Sequence, residues 1–137
     1  MWDEKVIRIP KDLRDRMVEH AVAELPNEAC GLLAGADGSF VHFYPMTNAD
    51  HSPATYRLDP QEQIRVFDEI EDRGWQLGGI FHSHTHTEAY PSPTDRGQAF
   101  YPEAYYVVVS LADRDSPVIR GFTILDGEVE EQEVRIS

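Results

Sequence analysis

The chain has 137 residues, a length typical of one domain that buries a single core without disulfides or a structural metal. Its formal net charge of −13 would repel a phosphate backbone, so we expect no nucleic-acid partner. The N-terminal segment holds no apolar run of signal-peptide length, and the longest apolar stretch, 105–112, is too short to span a bilayer. We therefore expect one cytoplasmic domain, residues 1–137, with no membrane partner.

The chain begins with a predicted strand and a predicted helix. Residues Lys5–Ile9 alternate apolar and charged side chains and stop at Pro10, a pattern typical of a strand. A helix ending near Pro26 is predicted next, because apolar residues recur at every fourth position. This apolar stripe consists of Leu13, Met17, Ala21 and Leu25.

A hairpin and a second helix follow. Segments 30–35 and 40–46 resemble strands, and the turn-forming residues 36–39 between them predict a hairpin. Asp59 and Pro60 mark the start of a helix that should stop at Gly74. Its predicted apolar face contains Ile64, Phe67 and Ile70.

The second half of the chain is rich in strands. Segment 77–84 predicts a strand, 92–102 a short helix, and 105–111, 117–125 and 127–136 three further strands. The run 105–111 is apolar without alternation, which indicates a sheet covered on both faces. The sequence therefore predicts an α/β or α+β fold with a central mixed β-sheet flanked by helices.

A cluster of candidate metal ligands lies at the end of the predicted strand 77–84. His82 and His84 stand two residues apart, so their side chains project from the same face, while Ser83 points the other way. Neutral imidazoles suit zinc, which commonly takes three protein ligands in catalytic sites. Asp95 is a candidate third ligand, because Ser92 has the character of a helix cap and would place this carboxylate in the first turn.

The string from His82 to Asp95 resembles the signature of the JAMM (MPN+) metallopeptidase family, which is H-S/T-H-x7-S-x2-D preceded by a distant glutamate. Every position of that signature is matched, and Glu28 in "LPNEACGLLAG" occupies the place of the glutamate. The order of the elements and the segment "TYRLDP", 55–60, extend the resemblance over nearly the whole chain. Fixed spacing at several positions makes the signal specific.

The resemblance implies a fold, a cofactor and a set of roles. The fold would be JAMM/MPN-like, with the layering of cytidine deaminases. His82, His84 and Asp95 would bind one zinc ion per chain together with a bound water. Glu28 would be the general acid/base, and Ser92 would donate a hydrogen bond to the oxyanion of the tetrahedral intermediate.

The resemblance also implies a class of substrate. The short bacterial subgroup acts on small ubiquitin-like sulfur-carrier proteins that end in Gly-Gly, so we expect hydrolysis of the peptide or isopeptide bond after that Gly-Gly, with cysteine as one leaving group. Two alternatives stay open at this point. One is a non-catalytic MPN-type scaffold, and the other is a RadC-like, metal-dependent protein of DNA maintenance, which the charge of −13 disfavours. The oligomeric state is not indicated.

Three residues near the signature have more than one interpretation. Ser92 could serve as a helix cap, as an oxyanion donor, or as both. Cys30 could be a reactive thiol, but an isolated cysteine is more often a small buried packing residue. His86 does not fit the spacing of the signature, and we interpret it as a residue that lines the site.

Overall fold

The structure, a computed structural model, describes residues 6–137, so Lys5 of the first predicted strand lies outside the described residues. Strands and helices occur in the order expected from the sequence. The strands are β1 (Val6–Ile9), β2 (Cys30–Ala36), β3 (Ser39–Met46), β4 (Gln76–His84), β5 (Tyr105–Ser110), β6 (Val118–Leu125) and β7 (Glu128–Ile136). The helices are α1 (Lys11–Ala23), α2 (Pro60–Asp72) and α3 (Pro93–Gly97).

The described strands form one mixed sheet in the order β1-β7-β6-β5-β4-β2-β3. The β1/β7 and β4/β5 pairs are parallel, and the other neighbouring pairs are antiparallel. Strand β4 lies between β2 and β5, well inside the sheet. The strand that carries both histidines is therefore held by hydrogen bonds along both of its edges.

Helices α1 and α2 pack on opposite faces of this sheet. Phe81 belongs to the apolar cluster that includes the buried residues of α1, whereas Ile80 belongs to the cluster that includes those of α2. Because residues two apart in a strand share a face, His82 and His84 lie on the same side as Ile80 and α2. The predicted mixed sheet with flanking helices is confirmed, and the site lies on its α2 side.

The helices differ in detail from the sequence prediction. The stripe of α1 is buried at Leu13, Met17 and Ala21, but the helix ends at Ala23 rather than near Pro26. Helix α3 is also shorter than predicted, since it ends at Gly97.

Helix α2 begins and ends where the sequence indicates. The carboxylate of Asp59 accepts hydrogen bonds from the first amides of the helix, and Gly74 has a φ of 72°. The predicted apolar face is confirmed at Ile70 and at the partly buried Phe67. It was wrong at Ile64, which is 64% exposed, because α2 turns Val66 toward the sheet instead.

The turn between β2 and β3 has positive φ values at Asp37 (53°) and Gly38 (78°). Two consecutive residues in that region are the mark of a type I′ turn, which matches the twist of a hairpin. The predicted hairpin is therefore confirmed. Within residues 6–137, none of the helices combines the length and the apolar character needed to cross a membrane.

Candidate metal and catalytic site

Three predicted ligand atoms converge at the end of β4. His82 Nε2 lies 2.9 Å from Asp95 Oδ2, His84 Nε2 lies 3.0 Å from the same oxygen, and the two Nε2 atoms are 3.2 Å apart. Ligand atoms around a tetrahedral zinc ion with bonds of about 2.0–2.1 Å stand roughly 3.3 Å from one another. The three side chains are buried and already have nearly the spacing that such an ion needs.

The hydrogen bonds around His84 select the tautomer that suits a metal ligand. Its Nδ1 donates to the backbone carbonyl of Glu88 at 2.7 Å, which leaves the lone pair on Nε2. Metal-binding histidines are commonly oriented by such a bond from the other ring nitrogen. In the neutral ring the lone pair of Nε2 therefore faces the carboxylate of Asp95, so the 3.0 Å contact requires a cation between them, either a proton on Nε2 or a metal ion. The donor set fits a zinc ion.

The charges of the cluster also suit a cation. Burial alone would raise the pKa of Asp95, but hydrogen bonds with His82 and His84 outweigh it and hold the pKa well below its ordinary value. Burial lowers the pKa of His82, so this ring stays neutral. Burial also acts to lower the pKa of His84, yet the hydrogen bond with Asp95 and the one with the carbonyl of Glu88 raise it overall. A proton on His84 would compete with a metal ion for the same position.

Tyr56 fixes the ring of His82. The two rings are stacked, with centroids 4.4 Å apart and planes 16° from parallel. Among the described residues, Nδ1 of His82 is buried without a hydrogen-bond partner, so stacking and the contacts of Nε2 orient this ring. Tyr56 lies in the 47–59 loop, which connects β3 to α2.

Helix α3 presents Asp95 through a capping box. Ser92 Oγ accepts a hydrogen bond from the amide of Asp95 at 3.0 Å, and the amide of Ser92 donates to Asp95 Oδ2 at 2.8 Å. The reciprocal bonds fix the carboxylate at the first turn of the helix. Because Ser92 Oγ accepts in this arrangement, its hydroxyl proton stays available for another acceptor. The cap is observed, and the predicted oxyanion role is compatible with it.

Glu28 lies at the same site but is held differently. Its amide donates to the carbonyl of Ser52 at 2.9 Å, and its side chain is only 3% exposed. Within residues 6–137, Oε1 of Glu28 has no hydrogen-bond partner. Burial raises the pKa of this carboxyl to about 8, while His84 lowers it and Asp95 raises it further. A carboxyl with a pKa in this range can both accept and return a proton near neutral pH.

Asn48 ties the 47–59 loop to the backbone of Glu28. Its side-chain amide donates to the carbonyls of Glu28 at 3.0 Å and Thr55 at 2.9 Å, and its oxygen accepts from the amide of Arg57 at 3.1 Å. These bonds flank Tyr56 on both sides. One buried side chain thus sets the positions of both Glu28 and the ring that packs on His82.

Ser83 connects the same segment to β4 from the opposite face. Its hydroxyl accepts from the amide of Ala29 at 2.8 Å, and its amide donates to the carbonyl of Ala29 at 3.0 Å. Ser83, which lies between the two histidines, thereby fixes the backbone of Ala29, the residue after Glu28.

The structure separates Cys30 and His86 from the cluster. Cys30 is fully buried in the core on the α2 side, and burial, together with nearby carboxylates such as Glu62, raises the pKa of its thiol to about 12. A thiol in that state is a poor nucleophile, which favours a packing role. His86 is exposed and pairs with the hydroxyl of Thr85 at 2.9 Å, outside the group of converging ligand atoms.

The sequence alone indicates no role for Tyr56, Asn48 or the hydroxyl of Ser83. Tyr56 was part of the segment 55–60 that carries the family resemblance, but its stacking on a residue 26 positions later has no periodic signal. The buried, hydrogen-bonded state of Asn48 is likewise a tertiary feature, since asparagine in a loop is usually exposed.

Known proteins resemble this chain over most of its length. The family model for prokaryotic homologs of the JAB domain matches residues 10–124. The chain is 47% identical to the CysO-cysteine peptidase of Mycobacterium tuberculosis over 133 residues, which cover 96% of this chain and 91% of that protein. It is 34% identical to the desampylase of Haloferax volcanii over 111 residues, 76% of this chain and 80% of that one. The solution structure of a Desulfitobacterium hafniense protein matches with a TM-score of 0.86 and 38% identity, covering 96% of this chain and 92% of that one.

Proposed function

Since this chain belongs to the family of prokaryotic JAB-domain homologs, we propose that it is a zinc-dependent peptidase for small ubiquitin-like sulfur-carrier proteins. The bond hydrolysed is the one after the Gly-Gly at the end of the carrier, and cysteine is the leaving group that we favour. The single observation that carries the proposal is the meeting of three metal-ligating atoms beside a buried carboxyl, Glu28, whose Oε1 has no partner among the described residues.

The roles of the residues follow from their positions. His82, His84 and Asp95 would hold one zinc ion per chain, and that ion would supply Lewis-acid polarisation of the scissile carbonyl and ease deprotonation of the attacking water. Glu28 accepts the proton of that water and returns it to the departing nitrogen. The hydroxyl of Ser92 donates to the oxygen of the tetrahedral intermediate.

The comparisons support the choice of substrate. The mycobacterial relative is named a CysO-cysteine peptidase, and it matches this chain over 96% of its length. A tail that ends in two glycines lacks side chains near the scissile bond, so it can approach a site enclosed by the 47–59 loop and α3. A scaffold without activity is disfavoured, because every residue of the catalytic signature is present and the ligand atoms converge.

Mass spectrometry of a carrier–cysteine adduct before and after incubation tests the proposal. We expect the mass of the adduct to fall by one cysteine residue, and o-phenanthroline or the substitution Glu28→Gln to prevent the change. If the adduct persists while ubiquitin conjugates or unrelated peptides are cleaved, the protein is a peptidase with a different substrate. If nothing is cleaved by zinc-loaded protein, the scaffold alternative is favoured.

A further inference from the structure

Strand β5 is apolar and buried along its length, yet it ends in a polar residue, Ser110, that is only 4% exposed. Ser110 is the register partner of His84 on the neighbouring strand β4. Val109 belongs to the apolar cluster of α1, so Ser110, one residue later, projects from the opposite face, where the metal cluster lies. A buried hydroxyl needs partners inside the protein, because burial without them is costly.

The partners of Ser110 are two backbone groups. Its hydroxyl donates to the carbonyl of Thr87 at 2.6 Å, and its oxygen accepts from the amide of Ala112 at 3.2 Å. The first distance lies at the short end of the range for O–H···O hydrogen bonds. This bond ties the end of β5 to the 85–91 loop, which leads from β4 toward α3.

The next carbonyl of the 85–91 loop, that of Glu88, orients a proposed metal ligand. It accepts from Nδ1 of His84 at 2.7 Å and from the amide of Tyr90 at 2.8 Å. The chain must therefore fold back within four residues so that the ring of His84 reaches the carbonyl of its own loop. Because a single loop conformation costs conformational entropy, such a turn needs anchors elsewhere in the protein.

The loop is anchored on both sides of the carbonyl of Glu88. After it, the side chain of Ala89 is 2% exposed and packs in a small apolar cluster with residues of β5 and β6. Before it, Ser110 holds the carbonyl of Thr87. The apolar contact is non-directional, whereas the hydrogen bond orients the peptide unit that precedes the carbonyl of Glu88.

We propose that Ser110 is a positioning residue of the metal centre. Its hydroxyl fixes Thr87 and thereby the carbonyl of Glu88, which holds the ring of His84 with Nε2 toward the metal position. The inference rests on the proposed function, because it takes His84 to be a zinc ligand. Loss of an outer partner typically weakens metal binding 10–100-fold, and Ser110 acts through one further hydrogen bond, so we expect about tenfold.

Zinc affinity, measured by competition with a chelator, tests the proposal without any requirement for cleavage. In Ser110→Ala the dissociation constant for zinc should rise about tenfold, whereas Ser110→Thr, which keeps the hydroxyl, should stay within about threefold of wild type. Val109→Ala is the matched control, because it truncates the neighbouring β5 residue on the face of α1. An unchanged affinity in Ser110→Ala, or an equal loss in Val109→Ala, would overturn the proposal.

Proton NMR of the metal-free protein provides a measurement that depends neither on zinc nor on the threonine variant. The Nδ1–H of His84, bonded to the carbonyl of Glu88, should exchange slowly with water, and its signal is identified by its absence in His84→Gln. We expect exchange about tenfold faster in Ser110→Ala and little change in Val109→Ala, because only the first loosens the loop. Equal rates in Ser110→Ala and wild type would show that the hydroxyl does not hold the loop, which contradicts the proposal.

The adduct assay keeps this inference separate from the proposed function. Weaker zinc binding in Ser110→Ala, together with an adduct that wild type leaves intact, would refute the proposed reaction while the role of Ser110 would stand. Cleavage by wild type, together with equal zinc affinities of wild type and Ser110→Ala, would refute the role of Ser110 alone.

Discussion

The proposed metal ligands and the proposed general base reach one site by contrasting means. His82, His84 and Asp95 lie within 14 residues of one another, and their polar atoms contact each other at 2.9–3.2 Å. Glu28 comes from a segment 54 residues before His82 and is fixed through its backbone, by the carbonyl of Ser52 and the amide of Asn48. Its Oε1 has no partner within residues 6–137.

The contrast corresponds to two different tasks. A ligand set must hold a fixed geometry, and mutual contacts on a central strand and a capped helix provide it. A proton carrier must change its protonation state, so a strong permanent partner would hold it in one state. Removal of a ligand should therefore destroy the centre, whereas changes at Glu28 should affect only the chemistry.

The largest effect is expected from the ligands. His84→Ala and the isosteric Asp95→Asn should bind little zinc and lose measurable activity, because only two good ligands would remain. The sheet and its two apolar clusters do not depend on the ion, so the variants should stay folded. Elemental analysis and circular dichroism provide the measurement. Full zinc content in both variants would contradict the ligand assignment.

Substitution of the base should separate metal binding from turnover. In Glu28→Gln the size of the side chain is kept and the proton acceptor is lost, so kcat should drop by roughly two to four orders of magnitude. Zinc content should be unchanged. Cys30→Ser is the control, since this residue is buried in the core and should leave most of the activity. An inactive Cys30→Ser beside an active Glu28→Gln would indicate thiol chemistry instead.

Ser92 tests whether one residue can both position a metal ligand and take part in the chemistry. If its hydroxyl donates to the oxyanion, Ser92→Ala should lower kcat by roughly a hundredfold with little change in KM. A residue that only caps α3 would cost about 1 kcal/mol of stability and little activity. Kinetics and a melting curve on the same variant distinguish these outcomes. Ser92→Thr, which keeps a hydroxyl, should recover part of the activity in the first case only.

The ligands could be predicted from local sequence because their geometry is local. A strand repeats every two residues, which places His82 and His84 on one face, and the helix cap at Ser92 fixes Asp95. Glu28 could be assigned only through the family resemblance, since no spacing rule links it to β4. The fold followed from the alternation of strands and helices, and it is confirmed.

The remaining details depend on tertiary packing. The apolar residues of α2 fit more than one face, and contact with the sheet selects Val66 over Ile64 beside the predicted Ile70. The stacking of Tyr56 on His82 joins a loop to a strand 26 residues later. Asn48 donates a hydrogen bond to Glu28, which lies 20 residues earlier in the chain. Neither leaves a periodic pattern in the sequence.

Substitution of Asn48 would remove a hydrogen bond that holds the backbone of Glu28 and would leave the proposed metal ligands unchanged. Asn48→Ala would leave the carbonyls of Glu28 and Thr55 without their donor, so we expect a loss of roughly 2–4 kcal/mol in the free energy of unfolding. Zinc content should be kept, while kcat falls because Glu28 is less well placed. Chemical denaturation, zinc analysis and kinetics test this. Normal kcat in the folded variant would show that the loop does not position the base.

The last expected effect is the pH dependence of stability that Glu28 contributes. In the metal-free protein burial raises the pKa of Glu28 to about 8 from its ordinary 4.5, so the folded state binds more protons than the unfolded state between these pH values. Stability from this group is therefore complete below about pH 4.5 and is lost as the pH rises toward 8. Glu28→Gln cannot titrate, so wild type should lose stability relative to the variant between pH 5 and pH 8, by about 3.5 kcal/mol at most. Contributions of groups that do not interact with Glu28 are common to both proteins and cancel in the difference, whereas its interactions with His84 and Asp95 are part of the measured effect. Denaturation curves of both metal-free proteins across this range provide the measurement, and parallel curves would mean that the carboxyl of Glu28 titrates normally in the folded state.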